Sequence, residues 1–185
     1  MNLIMVGFMA SGKTSVGRRL AHRLGYAFLD TDHFIESKIG CTIPEIFSIQ
    51  GEAYFRDLET RLASRLHKLE NTVISTGGGM IITPGNQERL QAAGVIVFLK
   101  ARKQDIIERL KRDSRRPKAR EDGDLETTVA NLMTARLPVY EQADIVLETG
   151  GKSVNRVCGE IIRELAKYPS RPTPDTEEPA PPTTP

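Results

Sequence analysis

Residues 7–14 read Gly-Phe-Met-Ala-Ser-Gly-Lys-Thr, and this stretch decides the fold. It matches G-x-x-x-x-G-K-[ST] and lies between an apolar run, residues 2–6, and a segment of helical periodicity. A strand, a glycine-rich turn and a helix in this order direct backbone N–H groups and the positive end of a helix dipole at one phosphate-sized anion. Lys13 is then placed to reach the β- and γ-phosphates, and the Thr14 hydroxyl group to bind Mg²⁺. The stretch predicts a nucleoside triphosphate site, with an ordinary glycine-rich turn as the alternative.

Short apolar runs alternate with helical patterns along the rest of the chain. The apolar runs predict buried strands at residues 2–6, 26–29, 72–75, 95–99 and 144–147. Helical patterns lie between and after them, at residues 13–24, 42–69, 84–93, 104–111, 125–141 and 153–167. Near-continuous apolar strands separated by helices indicate a parallel sheet covered on both faces. We therefore expect an α/β fold with five strands and a ligand at the carboxyl ends of the strands.

Length and composition are typical of a single globular domain. The chain has 185 residues, of which 39% are hydrophobic and 27% charged. Its net charge of +2 is too small to favour nucleic acid or a membrane surface as the main partner. No apolar run approaches the ~20 residues that a membrane span needs, and the first strand follows Met1 too closely for a signal peptide. We expect a cytoplasmic protein with no nucleic-acid or membrane partner.

The cysteines and the prolines add two local expectations. Cys41 and Cys158 lie far apart and outside any metal-binding pattern, so we expect reduced, buried thiols. Seven of the eleven prolines fall in the last 18 residues, mixed with Thr, Asp and Glu. Such a composition cannot bury enough apolar surface to offset the entropy of ordering. It predicts a disordered tail at residues 168–185 after one domain at residues 1–167.

Two carboxylates stand at the end of the second predicted strand. Asp30 and Asp32 belong to the sequence Leu-Asp-Thr-Asp at residues 29–32. That end lies at the same sheet edge as the phosphate loop, where a carboxylate can hold Mg²⁺ through water or take a proton from an attacking hydroxyl group. The alternative is a structural role, because Asp32 precedes the helical residues 34–39 and could cap that helix.

Three consecutive glycines, Gly77, Gly78 and Gly79, follow the third predicted strand. Glycine at a strand end costs stability, so a run of three favours a ligand that approaches the backbone closely. A tight turn explains one or two of them.

Basic residues form the last group of candidates. Residues 109–120 contain seven Lys or Arg against one acid, and the stretch of about 112–124 suits a mobile lid that closes over phosphates. A solvated basic loop is the alternative. Arg56 and Arg136 stand alone, and each by itself is more typical of a surface ion pair than of a site.

Taken together, these residues resemble the shikimate kinase family. The resemblance extends from Asn2 to about Leu165 and rests on separated motifs beyond the phosphate loop. These are LDTD at 29–32, IFSIQGEAYFRDLE at 46–59, STGGG at 75–79, SRRP at 114–117 and ARLPVY at 135–140. The phosphate loop alone would identify only a superfamily, whereas the combination is specific.

The resemblance implies a P-loop NTPase fold of the nucleoside-monophosphate-kinase type, with strand order 2-3-1-4-5. It implies a substrate-binding segment at about residues 32–60 and a lid at about 112–124. ATP with Mg²⁺ would phosphorylate the 3-hydroxyl group of shikimate, giving shikimate 3-phosphate and ADP on the chorismate pathway of aromatic amino acid biosynthesis. The enzyme would be a monomer whose partner is this small-molecule substrate.

Residue roles for the acceptor and the chemistry follow from the same resemblance. The groups that promote transfer would be Asp32, Lys13 and Arg116, with Asp32 as the base or orienting group. Shikimate would be bound by Asp32, by Arg56 and Arg136 at its carboxylate, and by the backbone of Gly77, Gly78 and Gly79. Phe47, Phe55 and Glu59 would shape the pocket, Glu59 by holding Arg56.

The nucleotide and metal contacts are implied in the same way. ATP would meet the loop and the first turn of the helix after it at Gly7, Ala10, Ser11, Gly12, Lys13, Thr14 and Ser15. Arg109, Arg116 and Pro117 would contact it from the lid side, Arg116 at the phosphates and the other two near the adenine. Thr14 would ligate Mg²⁺, and Asp30 would support the metal.

Two positions depart from the family pattern, and two other functions compete. Ala10 stands where many relatives have glycine, and residues 148–152 offer glycine where some relatives place a basic residue against adenine. The nearest competing function is another small-molecule kinase, for gluconate or a nucleotide. A catalytically silent homologue that binds nucleotide as a regulator is the other.

Overall fold

The computed structural model describes residues 1–112 and 125–168. In this part of the chain, five short strands form one sheet: β1 Leu3–Val6, β2 Ala27–Asp30, β3 Thr72–Ser75, β4 Val95–Lys100 and β5 Ile145–Glu148. Their order is β2-β3-β1-β4-β5, and every neighbouring pair is parallel. The expected α/β fold and its strand order are confirmed.

Seven α-helices connect and cover these strands within the described residues. They are α1 Lys13–Leu24, α2 Thr31–Ile39, α3 Ile43–Ala63, α4 Asn86–Ala93, α5 Lys103–Arg112, α6 Leu125–Tyr140 and α7 Val154–Leu165. Two short 3₁₀ turns, Leu66–Lys68 and Met80–Ile82, flank β3.

The side chains of β1 alternate between two cores, as the two-residue period of a strand requires. Leu3 and Met5 pack with α1 and α7 on one face of the sheet. Ile4 and Val6 pack with α3, α4 and the end of α6 on the other face. Because β1 is the central strand, its carboxyl end delivers the phosphate loop between the ends of its neighbours.

The prediction of one helix over residues 42–69 is wrong in its length. α3 begins where Thr42 and Glu45 form a reciprocal capping box, and it ends at Ala63. Gly51 interrupts it with φ of 82° and ψ of 166°, a conformation that side-chain-bearing residues rarely adopt. The element is therefore two helical segments joined at a kink.

Other boundaries differ by one or two residues. β2 ends at Asp30 rather than at residue 29, and α2 follows it without a break. α4 begins after a left-handed Gly85 and not at Pro84. Both cysteines are free, but only Cys158 is buried, so the expectation of a buried thiol is wrong for Cys41.

Some expectations fall on residues that the structure does not describe. The predicted lid beyond Arg112 and the predicted tail beyond Tyr168 lie outside the described residues. Within the described ranges, none of the helices has the length and apolar character needed to cross a membrane.

Candidate active site

The phosphate loop, residues 7–14, follows a backbone path that depends on glycine. Gly7 has φ of 142°, and a Cβ atom there would lie 2.9 Å from the carbonyl oxygen of Leu99. Gly12, with φ of 99°, is the N-cap of α1 and provides no side-chain cap. The first N–H groups of the helix are therefore available to an anion. Ser11 is buried, and its Oγ has no hydrogen-bond partner in the described part of the chain, as a ligand-binding hydroxyl would.

Lys13 is buried at the start of α1, although it carries a charge. Its Nζ donates hydrogen bonds to the carbonyl oxygens of Gly7 and Phe8, each at 2.9 Å. The ammonium group thus lies inside the curve of the phosphate loop. From there it can neutralise phosphate charge without a large movement.

Ala10 and Arg109 meet on the outside of the loop. Ala10 has φ of 57°, so it keeps the left-handed conformation in which relatives often have glycine. Its carbonyl oxygen accepts a hydrogen bond from Nη1 of Arg109 at 2.9 Å, which ties α5 to the loop. Ser15 is exposed in the first turn of α1.

The candidate position for the metal lies beside Thr14. The Thr14 Oγ1 donates to Oδ2 of Asp30 at 2.8 Å and lies 3.3 Å from Oγ of Ser75. The described residues contain no group of three or more His, Cys, Asp or Glu that could hold a metal ion. One hydroxyl group and one nearby carboxylate fit Mg²⁺, which keeps several waters and takes phosphate oxygens as further ligands.

Asp30 and Asp32 have different roles in the fold. Asp30 is the N-cap of α2, and its Oδ1 accepts from the N–H group of His33 at 3.4 Å. Asp32 lies one position inside the helix, so the interpretation of Asp32 as the cap is wrong. Its side chain is directed at the glycine segment, residues 77–79, because a Cβ atom on Gly77 would lie 2.5 Å from Asp32 Oδ1.

Close approach of side chains, and not a positive φ, explains the glycines at positions 77 and 79. None of the three residues of the glycine segment has a positive φ. A Cβ atom on Gly77 would also lie 2.8 Å from Oε1 of Glu59, and one on Gly79 would overlap the guanidinium group of Arg56. Gly78 packs against the phosphate loop, where its Cβ would be 3.4 Å from the backbone nitrogen of Met9. The segment therefore joins the acidic and basic side chains to the phosphate site.

Arg56 is held by two glutamates on its own helix. Its Nη1 lies 2.7 Å from Oε2 of the fully buried Glu59, and its Nη2 lies 2.6 Å from Oε1 of the exposed Glu52. Burial disfavours the charged form of Arg56, but the hydrogen bonds of Glu59 and Glu52 outweigh burial and raise its pKa. Burial also raises the pKa of Glu59, opposed by Arg56 and reinforced by the charge of Asp32.

Arg136 lies beside the phosphate loop. It lies on α6, with its guanidinium carbon 5.8 Å from the centre of the Phe8 ring. One turn later, the hydroxyl group of Tyr140 donates to the carbonyl oxygen of Gly78 at 2.6 Å. Burial raises the pKa of Tyr140, and the positive charges of Arg136 and Arg56 oppose that rise. The charges of both arginines therefore act on the Tyr140 hydroxyl group, which is bonded to Gly78.

Comparison with known proteins identifies the family. The sequence model of the family described as shikimate kinase matches residues 9–166. The chain belongs to the shikimate kinase family.

The matches to similar shikimate kinases extend over nearly the whole length of both proteins. The shikimate kinase of Burkholderia pseudomallei strain 1710b is 42% identical over 165 residues, which cover 89% of each chain. That of Caldicellulosiruptor bescii is 41% identical over 92% of this chain and 99% of its own. Among solved structures, shikimate kinase from Acinetobacter baumannii in complex with shikimate has a TM-score of 0.85 and 36% identity, covering 92% of this chain and 95% of the other.

In this member of the shikimate kinase family, most of the predicted site residues lie close to one another. Asp32 and Arg56 lie against the glycine segment. Lys13 and Thr14 lie in the phosphate loop beside it, and Arg136 lies over Phe8 of that loop. Phe47 and Phe55 form an edge-to-face pair with ring centroids 5.1 Å apart. Arg116 and Pro117 lie outside the described residues.

Three site residues were not predicted as such. Ser75 lies in the quoted STGGG motif and Tyr140 in ARLPVY, so each was visible but had no assigned role. Glu52 precedes Arg56 by four residues, a spacing that favours a helical ion pair and could have indicated the contact.

Residues 148–152, the second departure from the family pattern, lie beside a basic side chain from elsewhere in the chain. Gly150 lies under Arg102, because a Cβ atom on Gly150 would be 2.6 Å from Cδ of that arginine. The glycine thus leaves room for a basic side chain that comes from a different part of the chain. Arg102 is paired with Asp105 at 2.8 Å.

Proposed function

We propose that this chain is the shikimate kinase of its cell, transferring the γ-phosphoryl group of ATP to the 3-hydroxyl group of shikimate. The products are shikimate 3-phosphate and ADP, a step of aromatic amino acid biosynthesis. One observation carries the assignment of roles: the glycine segment, against which Asp32 and Arg56 lie, packs directly against the phosphate loop. Arg136 lies over Phe8 of that loop. An acceptor held on the glycine segment faces the phosphate that it attacks.

The acceptor is bound through its carboxylate and its hydroxyl groups. Arg56 lies against Gly79, and Arg136 lies over the Phe8 ring. Two guanidinium groups suit one carboxylate because each offers paired N–H donors. Asp32 accepts hydrogen bonds from hydroxyl groups at the other end of the ring. This arrangement favours a carboxylate-bearing acceptor over a nucleotide. Gluconate also carries a carboxylate, so the acceptor assay below is what separates it from shikimate.

Transfer requires positioning and charge neutralisation more than covalent chemistry. The backbone N–H groups of the loop and the Lys13 ammonium group hold the phosphates. Asp32 orients the attacking 3-hydroxyl group and takes its proton as the new O–P bond forms. Mg²⁺, held by the Thr14 hydroxyl group and supported by Asp30, neutralises phosphate charge when it is bound.

The residues outside the described part complete the proposal. Arg116 contacts the transferring phosphate, and Pro117 flanks the adenine together with Arg109, which lies in the described part of the chain. Residues 112–124 act as a lid that excludes water, the competing acceptor. Residues 1–167 form one kinase domain with its acceptor-binding segment at 32–60, followed by the proline-rich tail. We further propose a cytoplasmic monomer with no nucleic-acid or membrane partner, supported by the net charge of +2.

A coupled assay of ADP release tests the proposal. With millimolar Mg·ATP, ADP release is expected to depend on shikimate and to be at background with gluconate or AMP as the acceptor. Phosphorus and proton NMR of the product should place the new ester on the 3-oxygen. Release of ADP only with gluconate or AMP would assign another kinase, and ATP binding without turnover on any acceptor would assign the regulatory homologue.

A further inference from the structure

Tyr140 has no role in the proposed chemistry, yet its side chain is held at both its ring and its hydroxyl group. Its hydroxyl group donates to the carbonyl oxygen of Gly78, 62 residues earlier in the chain, at 2.6 Å. Its ring stacks on Phe98 of β4, with centroids 5.0 Å apart and planes inclined by 23°. Only 2% of the residue is exposed. The ring is thus held by the sheet while the phenol group holds the glycine segment.

The helix that carries Arg136 has few other anchors. Of the 16 residues of α6, only Val129 and Tyr140 are buried. Val129 packs near the start of the helix, against the α5 side of the molecule. Tyr140 is the buried residue closest to Arg136, one helical turn away. The position of the Arg136 guanidinium group therefore depends on where Tyr140 is fixed.

Gly78 is the midpoint of the acceptor site. Its neighbour Gly77 is approached by Asp32, and Gly79 is approached by Arg56. Gly78 itself packs against Met9 of the phosphate loop. A hydrogen bond to its carbonyl oxygen consequently links α6 to a segment that contacts both the acceptor-binding side chains and the phosphate loop.

We propose that Tyr140 is a positioning residue for phosphoryl transfer, whose hydroxyl group sets the distance between Arg136 and the glycine segment. This inference rests on the proposed function. With the bond in place, Arg136 and Arg56 reach the same carboxylate. Without it, the end of α6 is held by the ring and by the partly buried Leu137 and Val139. Arg136 then samples positions from which the carboxylate is not reached.

The test compares two tyrosine-to-phenylalanine variants of the full chain. Tyr140→Phe keeps the stacked ring and removes the hydroxyl group, which bonds to Gly78 and interacts with Arg136. The matched control is Tyr168→Phe, because the hydroxyl group of Tyr168 also donates to a backbone carbonyl oxygen, that of Asp144, but at the amino-terminal end of β5. Loss of one such bond corresponds to roughly a 5- to 10-fold change in an equilibrium constant.

We expect Tyr140→Phe to raise the KM for shikimate by roughly 5- to 10-fold and to leave the KM for ATP within about 2-fold of wild type. Tyr168→Phe should leave both KM values at wild-type levels. Shikimate methyl ester, which lacks the charged carboxylate, separates positioning from general damage. The ester should be a poor acceptor for wild type and no worse for Tyr140→Phe.

Each result decides the inference. An unchanged KM for shikimate in Tyr140→Phe would overturn it, as would an equal loss with the methyl ester or a matching rise in the KM for ATP. Wild-type enzyme that releases no ADP with shikimate would overturn the proposed function as well. Wild-type activity with an unaffected Tyr140→Phe variant would overturn the positioning role alone.

Discussion

Glu52 binds the edge of Arg56 that a substrate carboxylate would otherwise use. Its Oε1 accepts from both Nε and Nη2 of Arg56, at 3.1 and 2.6 Å. On the other side, Glu59 holds Nη1 and is fully buried, whereas 65% of the Glu52 side chain is exposed. Glu59 is therefore a permanent partner, and Glu52 is a partner that can rotate into water when an anion arrives.

Glu52→Gln should lower the KM for shikimate. An exposed ion pair contributes about 0.2–1 kcal/mol, so removing the competing charge predicts a decrease of roughly 2- to 4-fold. Asp57→Asn is the matched control, because Asp57 pairs with Arg61 at 2.7 Å on the exposed face of the same helix. Steady-state kinetics against shikimate measures the effect. An increased KM in Glu52→Gln alone would mean that Glu52 orients Arg56 and does not compete for it.

Glu59→Gln should change how stability depends on pH. The ordinary pKa of glutamate is 4.5, and burial raises that of Glu59 in the folded protein. From pH 4.5 upward through the raised pKa, the folded protein binds a proton that the unfolded chain has released, so this group makes the free energy of unfolding fall as pH rises. Glutamine has no such proton. The Tm of Glu59→Gln minus that of wild type should therefore increase with pH across this window.

Thermal unfolding from pH 4.5 to 7 checks this dependence on Glu59. A constant difference in Tm between the variant and wild type would show that the glutamate titrates alike in the folded and unfolded states. The absolute Tm of the variant is a separate matter, because the substitution also replaces a charged partner of Arg56 by a neutral one.

Asp32→Asn should lower kcat far more than it changes the KM for shikimate. General base catalysis contributes about 10²- to 10⁴-fold, whereas an amide still accepts a hydrogen bond from a substrate hydroxyl group. Initial rates with shikimate and ATP varied independently separate the two effects. A variant with near-normal kcat would remove Asp32 as the base and leave it an orienting role.

Asp30→Asn should raise the Mg²⁺ concentration needed for half-maximal activity. The carboxylate lies 2.8 Å from the Thr14 hydroxyl group and is placed to hold a water ligand of the metal. Asparagine can still cap α2, so the fold should be retained. Titration of activity with Mg²⁺ at fixed ATP is the measurement, and an unchanged midpoint would restrict Asp30 to its capping role.

Local patterns predicted the parts of the site that depend on short stretches of sequence. The phosphate loop and the glycine segment were found because each occupies the end of an apolar strand. The shift of the β2 end by one residue shows the limit of such patterns: Asp30, not Asp32, became the cap of α2. No periodicity could predict the bond between Tyr140 and Gly78, because packing of α6 on the sheet brings together residues that are 62 positions apart.

Ala10 should tolerate replacement by glycine but not by a β-branched residue. A left-handed conformation costs alanine about 1–2 kcal/mol, and glycine removes that cost. Glycine also adds conformational freedom to the unfolded chain, which offsets about 0.4–1 kcal/mol of the gain. Ala10→Gly should therefore match or slightly exceed the wild-type Tm, whereas Ala10→Val should lower it and raise the KM for ATP as the loop distorts. Ala166→Val, at an ordinary φ of −61° in an exposed position, is the control for valine itself. Equal Tm values for the two valine variants would show that the loop relaxes to a backbone path that any residue can follow.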